Sequence, residues 1–229
     1  MKNFEFHRPQ SVGDAVALLR GHEAAKLLAG GQSLIPVLKL DLAEPSDLIS
    51  LAGIGGLRDI RVLPVLPAVV EIGALATHDA VATSSEVRRH IPGLAALAGG
   101  IGDAQVRNRG TIGGSLAHAD PAADYPAAVL ALDATIVTDR RSIAAGDYFT
   151  GLFATALAAD EIITAVRFPV PECSAYAKFP HRASKYAVAG VMVARTAGGV
   201  RVAVTGAGTR AFRAGRSNAP TADASAAST

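Results

Sequence analysis

Cysteine and tryptophan are nearly missing from this sequence, and neither sign of charge dominates it. Cys173 is the single cysteine of 229 residues, so the chain cannot form an internal disulfide, a cysteine-based zinc site or a four-cysteine iron–sulfur cluster. Tryptophan is absent and aromatic residues make up 5%, which argues against a base-stacking surface. A net charge of +2 from scattered basic residues is too small to indicate nucleic acid or a membrane surface as a partner.

Long apolar runs are also missing. The most apolar windows, 62–70 and 187–194, are far shorter than the roughly 20 residues that span a bilayer. The first residues mix charges into the region where a signal peptide would need an apolar stretch. Half of all residues are apolar, which is typical of a globular protein. These features predict a cytoplasmic protein without membrane insertion.

Residues 1–55 show a pattern that predicts a small parallel α/β unit. Ser11 is expected to cap a helix that runs to Arg20, and a short helix is expected over 34–40. Strands are expected at 4–6, 26–29 and 47–51. Alternating strands and helices are typical of a parallel sheet.

Residues 56–172 predict a mixed α+β domain, and residues 173–212 a β-rich third domain. Helices are expected from Thr77, over 91–98 and over 121–132. The polar, glycine-rich stretch 99–124 predicts a long functional loop. The remaining strands are expected at 57–63, 69–74, 135–138, 161–168, 176–179, 188–193 and 200–205.

The tail over residues 213–229 is expected to be disordered. From Ser217 onward it contains no large apolar side chain, so burial cannot offset the roughly 1 to 2 kcal/mol per residue that ordering a backbone costs. The third domain is therefore expected to be incomplete, with an apolar sheet face that lacks covering helices.

A pair of glycines gives the first functional signal. Gly30 and Gly31 follow a predicted strand and precede Ser33 and a predicted helix. Two glycines there can take positive φ and turn backbone N–H groups toward one anion. The Ser33 hydroxyl and the helix N-terminus would add donors and positive dipole. A double glycine between a strand and a helix is, taken alone, more often just a tight turn.

A second pair of glycines, within residues 111–115, repeats this design and follows Arg107 and Arg109. One diphosphate could be held by both pairs. Neither pair has the Gly-Lys-Ser/Thr of a P-loop or the G-x-G-x-x-G spacing of a Rossmann domain, which argues against an ordinary NAD domain. Two roles stay open for the arginines, namely contact with a diphosphate or partner and plain solvated surface charge.

Joined together, the two motifs resemble the FAD-binding medium subunit of the xanthine dehydrogenase family, aerobic carbon monoxide dehydrogenase above all. The segments 29–34 and 105–124 carry the resemblance, with further likeness at 160–163 and 178–184. It extends from Phe4 to about Ala214. The resemblance implies an α+β fold of the molybdenum hydroxylase flavoprotein type, with FAD between the N-terminal and middle lobes.

The resemblance implies FAD contacts in several parts of the chain. The first diphosphate loop matches Leu28, Ala29, Gly30, Gly31, Gln32, Ser33 and Leu34. The second matches Thr111, Gly113, Gly114 and Ser115, and Ser115 stands where many relatives have Asn. Asp124 matches an acid near the nucleotide sugar, while positions lining the cofactor cleft match Ile101, Ile163 and His181.

The implied role is electron transfer within a complex. A large molybdenum-cofactor subunit would oxidise the substrate, and a small subunit would carry two [2Fe-2S] clusters. No catalytic side chain is required here, because a flavin supplies its own redox chemistry. Two alternatives stay open, a self-contained flavin oxidoreductase and a degenerate subunit with an assembly role only. The substrate of the complex and the final electron acceptor are not specified by the sequence.

Two further groups of residues are not predicted to be functional. His118, Asp120 and Asp124 could be drawn as a metal site, but Pro121 lies between them and no further ligand is near in sequence, so no metal is expected. Cys173 has no basic neighbour in sequence to lower its pKa, so an unreactive thiol is expected.

Gly114→Val and Gly31→Val are each expected to remove FAD, because a β-branched side chain disfavours positive φ and fills space needed by the diphosphate. His118→Ala should leave FAD bound. Flavin absorbance per chain after purification measures both. A folded Gly114→Val protein with stoichiometric flavin would contradict the assignment.

Overall fold

The computed structural model describes residues 2–215, so the predicted disorder from residue 216 onward lies outside the described residues. Its N-terminal part is a three-stranded parallel sheet with helices. The elements are β1 (Glu5–His7), α1 (Val12–Gly21), β2 (Lys26–Leu28), α2 (Leu34–Lys39) and β3 (Asp47–Ser50), with β3 at the centre of the sheet. The predicted parallel α/β unit is confirmed. Ser11 caps α1, accepting a 3.1 Å hydrogen bond from the Asp14 backbone N–H.

The middle part is built on a five-stranded antiparallel sheet. In spatial order its strands are β4 (Ile60–Leu63), β5 (Val69–Gly73), β10 (Ile163–Pro169), β6 (Thr135–Thr138) and β7 (Ser142–Ala144). A two-stranded hairpin contains β8 (Phe149–Gly151) and β9 (Ala154–Thr155). The helices are α3 (His78–Thr83), α4 (Ser85–His90), α5 (Pro92–Gly99), α6 (Ala104–Arg109), α7 (Ile112–His118), α8 (Tyr125–Ala131) and α9 (Ala145–Tyr148).

The main apolar core lies between this sheet and its helices. Helix α5 is apolar on nearly all sides, with Leu94, Leu97 and Ala98 fully buried. Such a helix must be covered all round, because exposed apolar surface costs about 25 cal/mol per Å². The largest fully buried side chains of this core are Tyr125, Tyr148 and Phe168.

The expectation of one long loop over residues 99–124 is wrong, because this stretch contains α6 and α7. Asp103 caps α6 by accepting a 2.8 Å hydrogen bond from the Val106 backbone N–H. Thr111 caps α7 in the same way, at 3.1 Å from the Gly114 nitrogen. The caps and the docking of this stretch on its neighbours stabilise two very short helices whose polar, glycine-rich composition does not predict them. Helix α8 likewise begins at Tyr125 and not at residue 121.

A four-stranded antiparallel sheet forms the third part. Its strands, in spatial order, are β11 (Cys173–Pro180), β12 (Ala187–Thr196), β13 (Gly199–Thr205) and β14 (Phe212–Arg213). Its inner face shares the main core through Met192, Ala194 and Ala203. The opposite face exposes several apolar side chains, among them Phe179, Val193, Val200 and Phe212. The domain boundaries and the incompleteness of the third domain stay predictions.

The predicted start of disorder at Arg213 is wrong. Arg213 is the last residue of β14, and its guanidinium donates to the Leu130 carbonyl at 2.8 Å. The backbone N–H of Ala214 donates to the Val202 carbonyl at 2.9 Å. Hydrogen bonds of a polar side chain thus anchor this segment in place of apolar burial. Within residues 2–215, no helix is long and apolar enough to cross a bilayer.

Arg213→Ala should lower the free energy of unfolding by about 1 kcal/mol, since it removes hydrogen bonds to Leu130 and Asp133. Arg195→Ala is the matched control, because it removes only an exposed ion pair with Glu172. Urea denaturation followed by circular dichroism measures both variants. Equal stability of the two would contradict the anchoring role of Arg213.

Candidate functional site

The first glycine loop, defined here as residues 29–34, connects β2 to α2. Gly31 has φ +74°, a left-handed conformation that favours glycine. Its carbonyl accepts a hydrogen bond from the Ile35 backbone N–H at 3.1 Å, which closes the turn. Within residues 2–215, the backbone N–H groups of Gly31, Gln32, Ser33 and Leu34 have no hydrogen-bond partner, and neither has the Ser33 hydroxyl. The loop thus offers a run of free donors.

The second glycine segment, defined here as residues 111–115, is built differently. The backbone N–H groups of Ile112 and Gly113 donate to the Ala76 and Ala74 carbonyls at 3.1 and 2.9 Å. The N–H groups of Gly114 and Ser115 donate to the Thr111 hydroxyl and carbonyl. Neither glycine of the segment has positive φ, so the expectation of a second left-handed turn is wrong. Its donors are engaged, because the segment is the capped start of α7.

Backbone contact joins the first glycine loop to the residues just before the second segment. A Cβ atom at Gly30 would overlap the Arg109 carbonyl and lie 2.9 Å from the Gly110 Cα. A Cβ atom at Gly114 would lie 2.9 Å from the Thr111 hydroxyl and 3.6 Å from the Ala29 Cβ. Real Cβ contacts are rarely this short, so glycine is what permits the approach at Gly30. The structure therefore brings together the two motifs that the sequence singled out.

The two arginines have separate roles. The Arg107 guanidinium donates to the carbonyls of Ile101 and Gly102 at 3.1 and 3.2 Å. These bonds fix the loop that precedes α6. They match neither of the two roles expected for Arg107, which were contact with a diphosphate or partner and solvated surface charge. Arg109 is exposed, and its backbone carbonyl faces Gly30.

His78 is a buried residue at this junction that the sequence did not single out. Its backbone N–H donates to the Gly110 carbonyl at 2.9 Å, and a Cβ at Gly110 would lie 2.8 Å from its ring carbon Cδ2. Its Nδ1 has no partner within residues 2–215, and its ring lies 5.4 Å from that of Tyr125. Burial, assisted by the nearby Arg107 charge, lowers its pKa to about 4. The neutral ring thus packs directly against Gly110.

Asp124 is buried, and the third sheet engages its carboxylate. The Tyr176 hydroxyl donates to Oδ1 at 2.5 Å, and the Lys178 ammonium lies 2.9 Å from the same oxygen. Lys178 also donates to the Gly100 carbonyl at 3.0 Å. Burial raises the pKa of Asp124, which the hydroxyl and the ammonium counteract. Lys178 thus links Asp124 to Gly100, the residue before Ile101, and the expected contact of Asp124 with the nucleotide sugar stays a prediction.

The three residues expected to line the cleft lie in different surroundings. Ile101 is half-buried against the main core. Ile163 is buried and precedes Thr164, whose carbonyl accepts a 2.9 Å hydrogen bond from the Ala74 N–H beneath the second glycine segment. His181 is exposed, and its Nδ1 accepts a 3.2 Å hydrogen bond from the Ser184 backbone N–H. The contacts of His181 are local to the β11–β12 connection.

The site fits a bound diphosphate. Four consecutive N–H groups and the Ser33 hydroxyl of the first glycine loop lack partners within residues 2–215, as does the Ser115 hydroxyl. Neither 29–34 nor 111–115 contains an acidic residue that would repel phosphate. Free backbone donors in a glycine turn are a recurrent means of binding phosphate oxygens. Fold and site together are those expected of a protein that binds a diphosphate-containing cofactor, with the candidate site at the junction of a parallel α/β unit and a mixed α+β lobe.

Comparison with known proteins identifies this class. The family model for the FAD binding domain in molybdopterin dehydrogenase matches residues 2–171. The nicotine 6-hydroxylase medium subunit of Paenarthrobacter nicotinovorans is 42% identical over 209 residues, covering 87% of this chain and 73% of that subunit.

Two solved structures show the same fold. Carbon monoxide dehydrogenase from Hydrogenophaga pseudoflava matches with a TM-score of 0.87 and 39% identity, covering 93% of this chain and 77% of that chain. Quinoline 2-oxidoreductase from Pseudomonas putida 86 matches with a TM-score of 0.86 and 31% identity, covering 93% and 78%. The chain belongs to the family of FAD binding domains in molybdopterin dehydrogenases. The predicted fold class, the FAD cofactor and the assignment as an oxidoreductase subunit are confirmed.

His78→Gln should remove part of the acid sensitivity of the fold. In the wild type the unfolded chain binds a proton near pH 6.5, whereas the folded chain binds it only near pH 4. The free energy of unfolding therefore falls as the pH decreases through this window, by on the order of 3 kcal/mol. Urea denaturation between pH 7 and 4 should show a shallower fall in His78→Gln than in His118→Gln, the exposed control. The same fall in both variants would contradict the buried, neutral state of His78.

Proposed function

We propose that this chain is the FAD-binding, electron-transferring subunit of a molybdenum hydroxylase complex. It would receive electrons from [2Fe-2S] clusters on a small partner subunit and pass them to an external acceptor. A large molybdenum-cofactor subunit would oxidise the substrate. The observation that carries the proposal is the run of free N–H donors at residues 31–34, held against the second motif at Gly30.

The cysteine count supports the division of labour. Cys173 is the only cysteine, and it is exposed on β11. A cluster of the [2Fe-2S] type requires several cysteine ligands, so its electrons must enter this chain across an interface with another subunit. The relatives named as medium subunits or medium chains agree with a multi-subunit assembly.

The geometry supports the proposed FAD contacts at the two glycine motifs, and the remaining contacts are proposed from the family resemblance. The first glycine loop would bind the diphosphate through its free N–H groups and the Ser33 hydroxyl. The second glycine segment would contribute the Ser115 hydroxyl and a surface without bulky side chains, since its own N–H groups are engaged. Asp124, Ile101, Ile163 and His181 would stand further along the cofactor, in the two domains 56–172 and 173–212. Residues 1–55 would form the opposing domain.

The chemistry comes from the cofactor, because a bound flavin accepts two electrons and can release them one at a time. The protein residues bind and orient it. The hydrogen bonds of Arg107 and Lys178 to the backbone of residues 100–102 keep one wall of the proposed cleft fixed. No side chain of the site is assigned a proton-transfer step.

The proposal places substrate choice on another subunit. Relatives named for nicotine, carbon monoxide and quinoline match this chain over similar lengths. Flavin subunits of similar sequence thus belong to enzymes named for different molecules, which supports substrate recognition by another subunit. The self-contained flavin oxidoreductase is less well supported, because the buried imidazole at the junction, His78, is inaccessible to a substrate. The free donors of the first glycine loop argue against a subunit that only assembles.

Gly30→Ala should lower the flavin content severalfold, because the added methyl group forces residues 29–34 away from the Arg109 carbonyl. Gly146→Ala is the matched control, since a Cβ there meets nothing within 4 Å. Flavin absorbance per chain and circular dichroism of both purified variants measure cofactor and fold. Full flavin in Gly30→Ala would contradict the proposed site.

Electron transfer is tested by anaerobic stopped-flow mixing of the flavin-loaded chain with a reduced [2Fe-2S] partner subunit. Flavin bleaching by the partner, without bleaching by nicotine, aldehydes or purines alone, is the expected result. Bleaching by an organic substrate in the absence of any partner would contradict the proposed function in favour of a self-contained oxidoreductase.

A further inference from the structure

Three potential metal ligands converge in the N-terminal domain. His7, His22 and Asp47 each offer one ligand atom, and these atoms all lie within 4.8 Å of one another. The His7 Nε2 lies 2.6 Å from Asp47 Oδ1, and the His22 Nδ1 lies 3.2 Å from Asp47 Oδ2. The carboxylate of Asp47 is therefore placed between two imidazoles.

This cluster is separate from the proposed FAD site. His7 ends β1, His22 follows α1, and Asp47 begins β3. In the parallel sheet Leu28, which leads into the first glycine loop, pairs with Ser50 at the opposite end of β3. Asp47 and the first glycine loop thus lie at opposite ends of β3, and His7 lies on β1, which is separated from β2 by β3.

We propose that His7, His22 and Asp47 form a binding site for a divalent transition-metal ion of the zinc type. Two imidazole nitrogens and one carboxylate oxygen are ligands that such ions prefer. Bonds of about 2.0–2.2 Å in a tetrahedral site place neighbouring ligand atoms about 3.3 Å apart. Both imidazole contacts with Asp47 are within about 1 Å of this spacing, and the two imidazole nitrogens lie within 4.8 Å of each other.

The exposure of the three side chains suits such an ion. Asp47 is almost fully buried, whereas the side chains of His7 and His22 are 27% and 41% exposed. The Asp47 carboxylate supplies an anionic oxygen ligand between the two imidazoles. The imidazoles face solvent, which provides an entry path and water for the remaining coordination position. A bound ion would tie the end of α1 to β1 and β3.

Equilibrium dialysis against Zn²⁺, with metal measured by mass spectrometry, tests the proposal on the full chain carrying Cys173→Ser. One ion per chain is expected, with loss of that ion in His22→Ala and in His7→Ala. His90→Ala is the matched control, because His90 also faces a carboxylate, Glu86, at 3.6 Å. No bound zinc, or equal loss in the His90 control, would overturn the proposal.

Thermal unfolding supplies a second readout, since an ion that binds only the folded state raises the melting temperature. Zinc should raise the melting temperature of the chain carrying Cys173→Ser and leave that of its His22→Ala variant unchanged. X-ray absorption at the zinc edge of the zinc-loaded wild-type chain needs no variant. Two imidazoles and oxygen in the first coordination shell are expected, and sulfur or fewer than two imidazoles would overturn the proposal. Flavin content plays no part in these measurements, so a failure here leaves the proposed function untouched.

Discussion

The close approach of Gly30 to the backbone of Arg109 and Gly110 is the contact on which the candidate site depends. It joins a loop of the parallel N-terminal sheet to a segment of the mixed α+β lobe. A side chain at residue 30 would separate them, and the free N–H groups of residues 31–34 would then face solvent alone. The candidate site therefore depends on contact between two parts of the chain, and neither motif forms it by itself.

Buried polar groups of the mixed α+β lobe and the third sheet hold the Gly110 side of this contact in place. His78 fills the space beneath Gly110, and the N–H of Gly113 is bonded to the Ala74 carbonyl. Asp124 and Lys178 connect the third sheet to Gly100, close to the loop that Arg107 fixes. Such groups are costly to bury without partners, so each hydrogen bond restricts the arrangements that the two loops can adopt.

Elements with clear periodicity could be predicted from the sequence, and elements stabilised by tertiary contacts could not. The N-terminal α/β unit, the cap at Ser11 and the left-handed turn at Gly31 follow from local chemistry. Helices α6 and α7 are too short to be recognised by composition, and Gly113 and Gly114 serve a helix start. The buried position of His78 and the convergence of His7 with Asp47 arise from residues far apart in sequence, which no local pattern reveals.

A structure of the FAD-loaded chain tests most directly whether the two glycine motifs bind one diphosphate. Phosphate oxygens are expected within about 3.2 Å of backbone nitrogens among residues 31–34, with residues 111–115 in contact on the opposite side. A diphosphate bound by only one of the two motifs, or bound elsewhere, would contradict this expectation.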